Sequence, residues 1–166
     1  MTFYNQKVVD MIEANAVTTG SPNRRYIPWD EVDRFAHQLR QRFEGKRVDI
    51  YTNWRGGAPL GIYLNNIMPD STLSLLKYQT RDGEDDNVLC LWDDVDPDRV
   101  GDVALFVDDI FATGKSSREC ISYIEGLWDW DSVVPYYLIS RDCKQPALLY
   151  TDKTDEEQWM IFSWES

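Results

Sequence analysis

The run VALFVDDIFATGKSS, residues 103–117, constrains this chain more than any other stretch. It opens with apolar residues in a run long enough for a buried strand. Two adjacent carboxylates, Asp108 and Asp109, follow at the strand's end. A short loop, Ala112-Thr113-Gly114-Lys115-Ser116, then leads into a helical pattern. A strand, a glycine-containing turn and a helix start make an anion site, because the first N–H groups of a helix point outward without intrahelical partners. Thr113, Ser116 and Ser117 add hydroxyl donors. The loop suits a phosphate monoester, and the carboxylate pair before it suits vicinal hydroxyls. A phosphate and a diol a short distance apart describe a ribose 5-phosphate.

Two other readings compete. Gly114-Lys115-Ser116 matches the tail of a Walker A loop, but that motif needs a glycine five residues earlier, where Asp109 stands. A buried strand with acids at its exposed end would explain a lone Asp-Asp. It does not explain Asp-Asp followed at fixed spacing by Thr-Gly-Lys-Ser.

The chain has 166 residues, 43% of them hydrophobic and 28% charged, which suits one globular domain with a sizeable core. No apolar run reaches the ~18 residues of a membrane span, and the N-terminus lacks a basic-then-apolar leader pattern. Cys90, Cys120 and Cys143 are widely spaced, fit reduced thiols and a cytoplasmic location, and form no zinc pattern. A net charge of −12 argues against nucleic-acid or anionic-membrane partners. It leaves room for a phosphorylated ligand held by local N–H groups and a cation.

Residues 4–16 carry Tyr4, Val8, Met11 and Ile12 on one helical face, and 18–23 read as a loop. Pro28 introduces a helix over about 29–44, with Val32, Phe35, Ala36, Leu39 and Phe43 inward, His37 on its polar side and Gly45 as its stop. A strand over 48–53 ends in Arg55-Gly56-Gly57, and Pro59 suits the first turn of the next helix, with Leu60, Leu64 and Ile67 inward. Paired glycines there let backbone approach a ligand closely. A strand follows over 71–78, then a polar stretch over 79–87, a returning arm over 88–92 and an acidic turn over 93–98. After the organising run come a helix with Cys120, Ile121, Ile124, Leu127 and Trp128 in one stripe, read as core or subunit contact, and a strand over 133–139. Alternating strands and helices predict an α/β fold with a twisted, mostly parallel sheet. Ligands of such sheets bind at the carboxyl ends of strands, where the Arg-Gly-Gly turn, Asp108-Asp109 and Ser140-Arg141 all fall.

Asp108-Asp109-x-x-x-Thr113-Gly114 resembles the phosphoribosyl pyrophosphate (PRPP) signature of the type I phosphoribosyltransferases. The resemblance runs from about Tyr26 to Glu165 and is nearest the xanthine-guanine and hypoxanthine branch. It divides the chain into an N-terminal helical extension, residues 1–25, and a phosphoribosyltransferase domain, 26–166, whose C-terminal region forms a small hood for the base. It implies that Asp108 and Asp109 are catalytic and hold the ribose hydroxyls, and that Ala112, Thr113, Gly114, Lys115, Ser116 and Ser117 hold the 5-phosphate. Arg55, Gly56 and Gly57 would hold pyrophosphate, with a cis bond at Arg55–Gly56. Lys77, Tyr78 and Arg81 would contact the reacting centre from a closing loop. The tail WMIFSWE, residues 159–165, resembles the branch's purine pocket. Trp159 would stack on the base, the Met160 backbone would read its edge, and Glu165 and Asp109 would face Mg²⁺. The family also implies PRPP and a nucleobase as substrates, pyrophosphate as product, and a homo-oligomer.

Two positions depart from the branch. Ala112 stands where the branch carries an Asp that handles the purine N7 proton, and Ser140 stands where it carries a Lys for the 6-oxo group, with Arg141 adjacent as a substitute donor. The implied activity is phosphoribosyl transfer from PRPP to a purine, with xanthine, guanine or hypoxanthine first. An adenine or pyrimidine enzyme and a non-catalytic PRPP or nucleotide-binding regulator stay open beside it.

Overall fold

The computed structural model describes residues 24–78, 80–81, 84–85, 88–96, 98–128, 130, 132–141, 149–153 and 159–165. The helix expected over 4–16 and the loop over 18–23 lie outside these residues. In chain order the elements are β1 (Arg24–Ile27), α1 (Trp29–Arg42), β2 (Val48–Asn53), α2 (Ala58–Ile67), β3 (Ser71–Lys77), β4 (Thr80–Arg81), β5 (Glu84–Asp85), β6 (Leu89–Asp93), β7 (Val103–Phe111), α3 (Lys115–Trp128), β8 (Val133–Ser140), β9 (Leu149–Lys153) and β10 (Trp159–Phe162). Among the described residues no helix is long and apolar enough to cross a membrane.

Trp29–Thr154 forms one compact unit, built on a six-stranded sheet in the order β6-β3-β2-β7-β8-β9. Every neighbouring pair is parallel except β3–β6. The expected α/β architecture is therefore observed. The central strands are apolar on both sides because both faces are covered. Tyr51, Phe106, Phe111 and Tyr137 pack with Cys120 and Ile124 of α3. On the other face, Gly61 of α2 lies so close to Thr52 and Leu73 that a Cβ there would sit 2.8 Å from Thr52 Cγ2. α1 buries Val32, Ala36 and Leu39, and the Tyr63 hydroxyl of α2 donates to Asp33 of α1.

One buried carboxylate ties the starts of these strands together. Asp49 is fully buried, accepts from Thr72 Oγ1 at 2.8 Å and from the Gly101 N–H at 2.7 Å, and so anchors the turn entering β7. Asp94 accepts from the Leu73 N–H. The acidic stretch after β6 is thus partly used in joining that edge to β3.

The second unit contains β1 and β10, from the two ends of the chain. They pair in parallel, Arg24 with Trp159 through Ile27 with Phe162. Met160 and Phe162 are its buried face, as the alternation over 159–162 predicts.

Candidate active site

β7 runs further than the sequence suggests. It continues through Asp108 and Asp109 to Phe111, so Asp108 is a buried strand residue and not an exposed terminus. The strand persists because Ile110 and Phe111 pair with Ile139 and Ser140 of β8. The Asp108 carboxylate accepts from the Asp109 N–H at 3.1 Å, and Asp109 accepts from the Ile110 N–H at 2.7 Å. Burial, and then the neighbouring Asp109 charge, push Asp108 well above the ordinary carboxylate range, while backbone amides of Asp109 and Gly57 pull it back. The pair therefore holds a proton more readily than two free carboxylates do.

The Arg-Gly-Gly turn lies directly on this pair. A Cβ on Gly56 would fall 2.5 and 2.7 Å from the two Asp109 carboxylate oxygens. A Cβ on Gly57 would fall 2.8 Å from both Asp108 Oδ1 and the Val107 carbonyl. Any larger residue at either position would have to displace a carboxylate or backbone. The cis peptide expected at Arg55–Gly56 is at Trp54–Arg55 instead. β2 ends at Asn53, and the turn begins with Trp54, one residue sooner than expected.

Sequence reasoning missed the residue that fixes this turn to its neighbour. The Asn53 side chain accepts from the Tyr78 N–H at 3.0 Å and donates to the Tyr78 carbonyl at 3.4 Å, while Trp54 N–H donates to the Leu76 carbonyl at 2.6 Å. A strand-ending Asn before a Gly-Gly turn is the only signal that could have pointed to it. The Tyr78 side chain, expected near the reacting centre, packs in the α3-facing core instead, because strand alternation turns it inward with Leu76. Lys77 is half-buried at the end of β3. β4 and β5, which include Arg81, pair as a short antiparallel ladder, and residues 79, 82–83 and 86–87 lie outside the described set.

The loop after β7 joins a strand end to a helix start through a glycine turn, as the sequence suggests. Gly114 takes φ +72°, a left-handed conformation that favours glycine, and a Cβ there would meet the Phe111 ring at 2.5 Å. The Lys115 N–H donates to Thr113 Oγ1 at 3.4 Å, and the Arg118 guanidinium donates to the Thr113 carbonyl at 3.3 Å. Ala112, Thr113 and Lys115 are exposed and Ser116 half-buried at the start of α3. Ser117 differs from its neighbours. It is buried, and its hydroxyl is hydrogen-bonded with Tyr137, the β8 residue in register with Asp108. Tyr137 thus joins the base of the loop to the carboxylate strand, a role its apolar sequence context conceals.

At the end of β8, Ser140 is fully buried, and the Arg141 N–H donates to the Phe111 carbonyl at 3.0 Å. In the second unit, Trp159 is 65% exposed and Met160 buried. Phe162 stacks on Trp164 at 4.7 Å, and Glu165 accepts from the Phe162 N–H at 3.0 Å, closing the turn after β10. Within the larger unit, Arg55, Gly56, Gly57, Asp108, Asp109 and 112–116 converge at the carboxyl ends of β2 and β7. Trp159, Met160 and Glu165 share the β10 segment.

No family model matches the sequence, and no curated protein matches it. Solved structures do. A purine phosphoribosyltransferase from Pyrococcus horikoshii superposes with TM-score 0.65 at 22% identity, over 87% of this chain and 95% of that one. A xanthine-guanine-hypoxanthine phosphoribosyltransferase from Helicobacter pylori gives 0.63 at 13% identity, over 86% and 93%. A hypothetical protein from Neisseria gonorrhoeae with bound ppGpp gives 0.55 at 15% identity, over 87% and 90%. With its parallel sheet, its covered faces and its loops at the strand ends, the chain has the type I phosphoribosyltransferase fold.

Proposed function

We propose that this protein transfers the phosphoribosyl group of PRPP to a purine, forming a nucleoside 5′-monophosphate and pyrophosphate. The observation that carries the reading is the closeness of Gly56 and Gly57 to Asp109 and Asp108, immediately before an exposed helix-start loop. A carboxylate pair, a close-approach glycine turn and an anion loop fit the diol, the pyrophosphate and the 5-phosphate of one ligand. The solved purine phosphoribosyltransferases of this fold support the same choice.

In this reading a purine nitrogen attacks the anomeric carbon as the bond from that carbon to the pyrophosphate oxygen breaks, the pyrophosphate leaves with the bond electrons, and the purine's ring N–H proton passes to solvent. Asp108 and Asp109 accept hydrogen bonds from the ribose hydroxyls and favour the positive charge that develops on the ring. N–H groups and hydroxyls of 112–116 hold the phosphate end, and Arg55 with the Gly56-Gly57 turn holds the pyrophosphate, so the reacting atoms are aligned before the step. Ser117, whose hydroxyl is hydrogen-bonded with Tyr137, would meet the phosphate through its backbone N–H. Trp159 presents an open ring face for stacking, and the Met160 backbone would read the base edge.

Mg²⁺ fits the donor set. Among the described residues no group of three or more His, Cys, Asp or Glu side chains forms a protein cage. Mg²⁺ is usually held by one or two carboxylates, with phosphate oxygens and waters supplying the rest. Asp109, against the Gly56-Gly57 turn, is the carboxylate proposed for it in the larger unit, while Glu165 belongs to the β10 segment, where it accepts from the Phe162 N–H. When bound, the ion would neutralise charge on the pyrophosphate.

A second reading has its own support. Ala112 is exposed and brings no carboxylate to the base, and one solved structure of this fold holds ppGpp. A chain of this kind can bind PRPP or a nucleotide as a regulator without turning over. The test incubates radiolabelled xanthine, guanine, hypoxanthine and adenine with PRPP and Mg²⁺ and scores monophosphate. Formation from a 6-oxopurine supports the first reading. Product only from adenine, or from a pyrimidine added as a fifth arm, reassigns the base. PRPP or nucleotide binding with no product from any base supports the regulator.

A further inference from the structure

The opposite end of the sheet carries a cavity. β2 and β3 start there, at Val48 and Ser71, while Asn53 and Leu76 mark the end where the Arg-Gly-Gly turn lies. The cavity has a volume of about 360 Å³ and lies between the end of α1 and the turn after α2. Phe43 and Met68, both buried in the body of the unit, give it an apolar floor. His37, Arg40 and Lys46 are at its rim, together with Glu44 and Asp70.

Charge in this region runs against the rest of the chain. Net charge overall is −12, yet residues 34–47 hold Arg34, Arg40, Arg42, Lys46, Arg47 and the single histidine, against one carboxylate, Glu44. Arg47 turns inward to the Val100 carbonyl, and His37 lies 3.4 Å from Asp33. Arg40 and Lys46 are exposed, so they are the rim cations available to a ligand. Gly45, between them in the wall, has a left-handed φ of +76° and open space where a Cβ would project.

We propose that this cavity binds a small organic anion: a phosphate or carboxylate carrying an apolar or aromatic body. The body rests on Phe43 and Met68, and the anionic group meets Arg40 and Lys46. A volume near the lower end of the ~300–1,000 Å³ range of small-molecule pockets sets the size of the ligand. A polyanion is the wrong class, because the −12 charge would repel it beyond this local patch. A cation has only Glu44 and Asp70 at the rim, inside a basic field.

The experiment is a backbone-amide NMR titration of the full chain with 1-naphthyl phosphate, 1-naphthoate, inorganic phosphate and 1-naphthylmethylamine. The two aromatic anions should move the amides of 40–46 and 68–70 in a saturable way. Inorganic phosphate should bind more weakly, since it cannot use the apolar floor. Arg40→Glu combined with Lys46→Glu should weaken naphthyl phosphate about 10-fold or more, the usual worth of lost charge-assisted hydrogen bonds. The neutral pair Arg40→Gln with Lys46→Gln should give a smaller loss. The proposal is overturned if the amine binds as tightly as the anions, if inorganic phosphate matches naphthyl phosphate, or if the charge-reversed chain binds unchanged. It also fails if the shifts fall only around 112–116, which would mean the anion uses the strand-end loop. Because the readout is resolved by residue, this outcome is independent of whether the chain transfers phosphoribosyl groups.

Discussion

Replacing Gly57 by alanine tests whether the turn and the carboxylate strand meet as closely as described. Gly57 has φ −76° and ψ −17°, a conformation alanine adopts freely, so backbone strain plays no part. The added methyl would instead fall 2.8 Å from the Val107 carbonyl and from Asp108 Oδ1, and against Thr52 Oγ1. One of these contacts is backbone in a central strand and cannot turn away. Overpacking of this kind costs about 1–3 kcal/mol, and the stiffer unfolded chain returns about 0.4–1 kcal/mol. A net loss of about 1–2 kcal/mol follows, which for a chain of this size lowers Tm by about 2–8 °C. Gly126→Ala is the control. Gly126 is exposed in α3 with nothing near its Cβ position, so alanine there should stabilise by about 0.5–1 kcal/mol through helix propensity. Thermal unfolding followed by circular dichroism, with PRPP calorimetry on both variants, reads the outcome. Gly57→Ala should melt lower and bind PRPP more weakly, and Gly126→Ala should melt higher and bind normally. A Gly57→Ala protein as stable as the parent, with unchanged affinity, would refute the close approach.

Other predictions follow from single residues. Burial and Asp109 raise Asp108, so the ligand-free fold binds a proton that the unfolded chain has already released. The contribution of Asp108 to stability is therefore fully present below the ordinary carboxylate range and is lost as pH rises through the raised value. Asp108→Asn should melt above the parent at pH 8 and converge with it near pH 4, and a lower melting point at pH 8 would contradict this. Trp159 is largely exposed, so Trp159→Ala should leave Tm nearly unchanged while weakening base binding by about 1–3 kcal/mol and sparing PRPP, as calorimetry would show. Equal losses for base and PRPP would make it a structural residue. Ala112→Asp should raise 6-oxopurine turnover about 10-fold or more if the missing carboxylate limits a poor enzyme. It should help little with adenine, and kcat for the four purines decides between the two.

The parts of this fold that were legible are those whose sequence has one physical use. The apolar runs of β7 and β8 read as buried strands, and the Arg-Gly-Gly turn was placed with Asp108-Asp109 at the carboxyl ends of strands, though not in contact with it. The polar face of α1, with His37 outside and Val32, Ala36 and Leu39 inside, followed from helical spacing. What was not legible depends on partners distant in the chain. β1 is Arg-Arg-Tyr-Ile and β9 is Leu-Tyr-Thr-Asp-Lys, too short or too polar to be read as strands before their pairing with β10 and β8 is known. The hydrogen bond of the Ser117 hydroxyl with Tyr137, and the packing of the Tyr78 side chain in the core, each depend on residues far away in the chain. Asn53 gives only a weak signal, a polar strand end before a glycine turn, because its partner is the backbone of Tyr78.

The central claim is that Asp108, Asp109 and the loop after them form a PRPP site. Calorimetry of PRPP with Mg²⁺, on the parent and on Asp108→Asn combined with Asp109→Asn, tests it most directly. Circular dichroism confirms that the double variant is folded. The parent should bind one PRPP per chain, and the folded variant should lose about 10-fold or more in affinity, since two charge-assisted acceptors for the ribose hydroxyls are gone. A parent that does not bind PRPP, or a folded variant that binds it as tightly as the parent, would contradict the account.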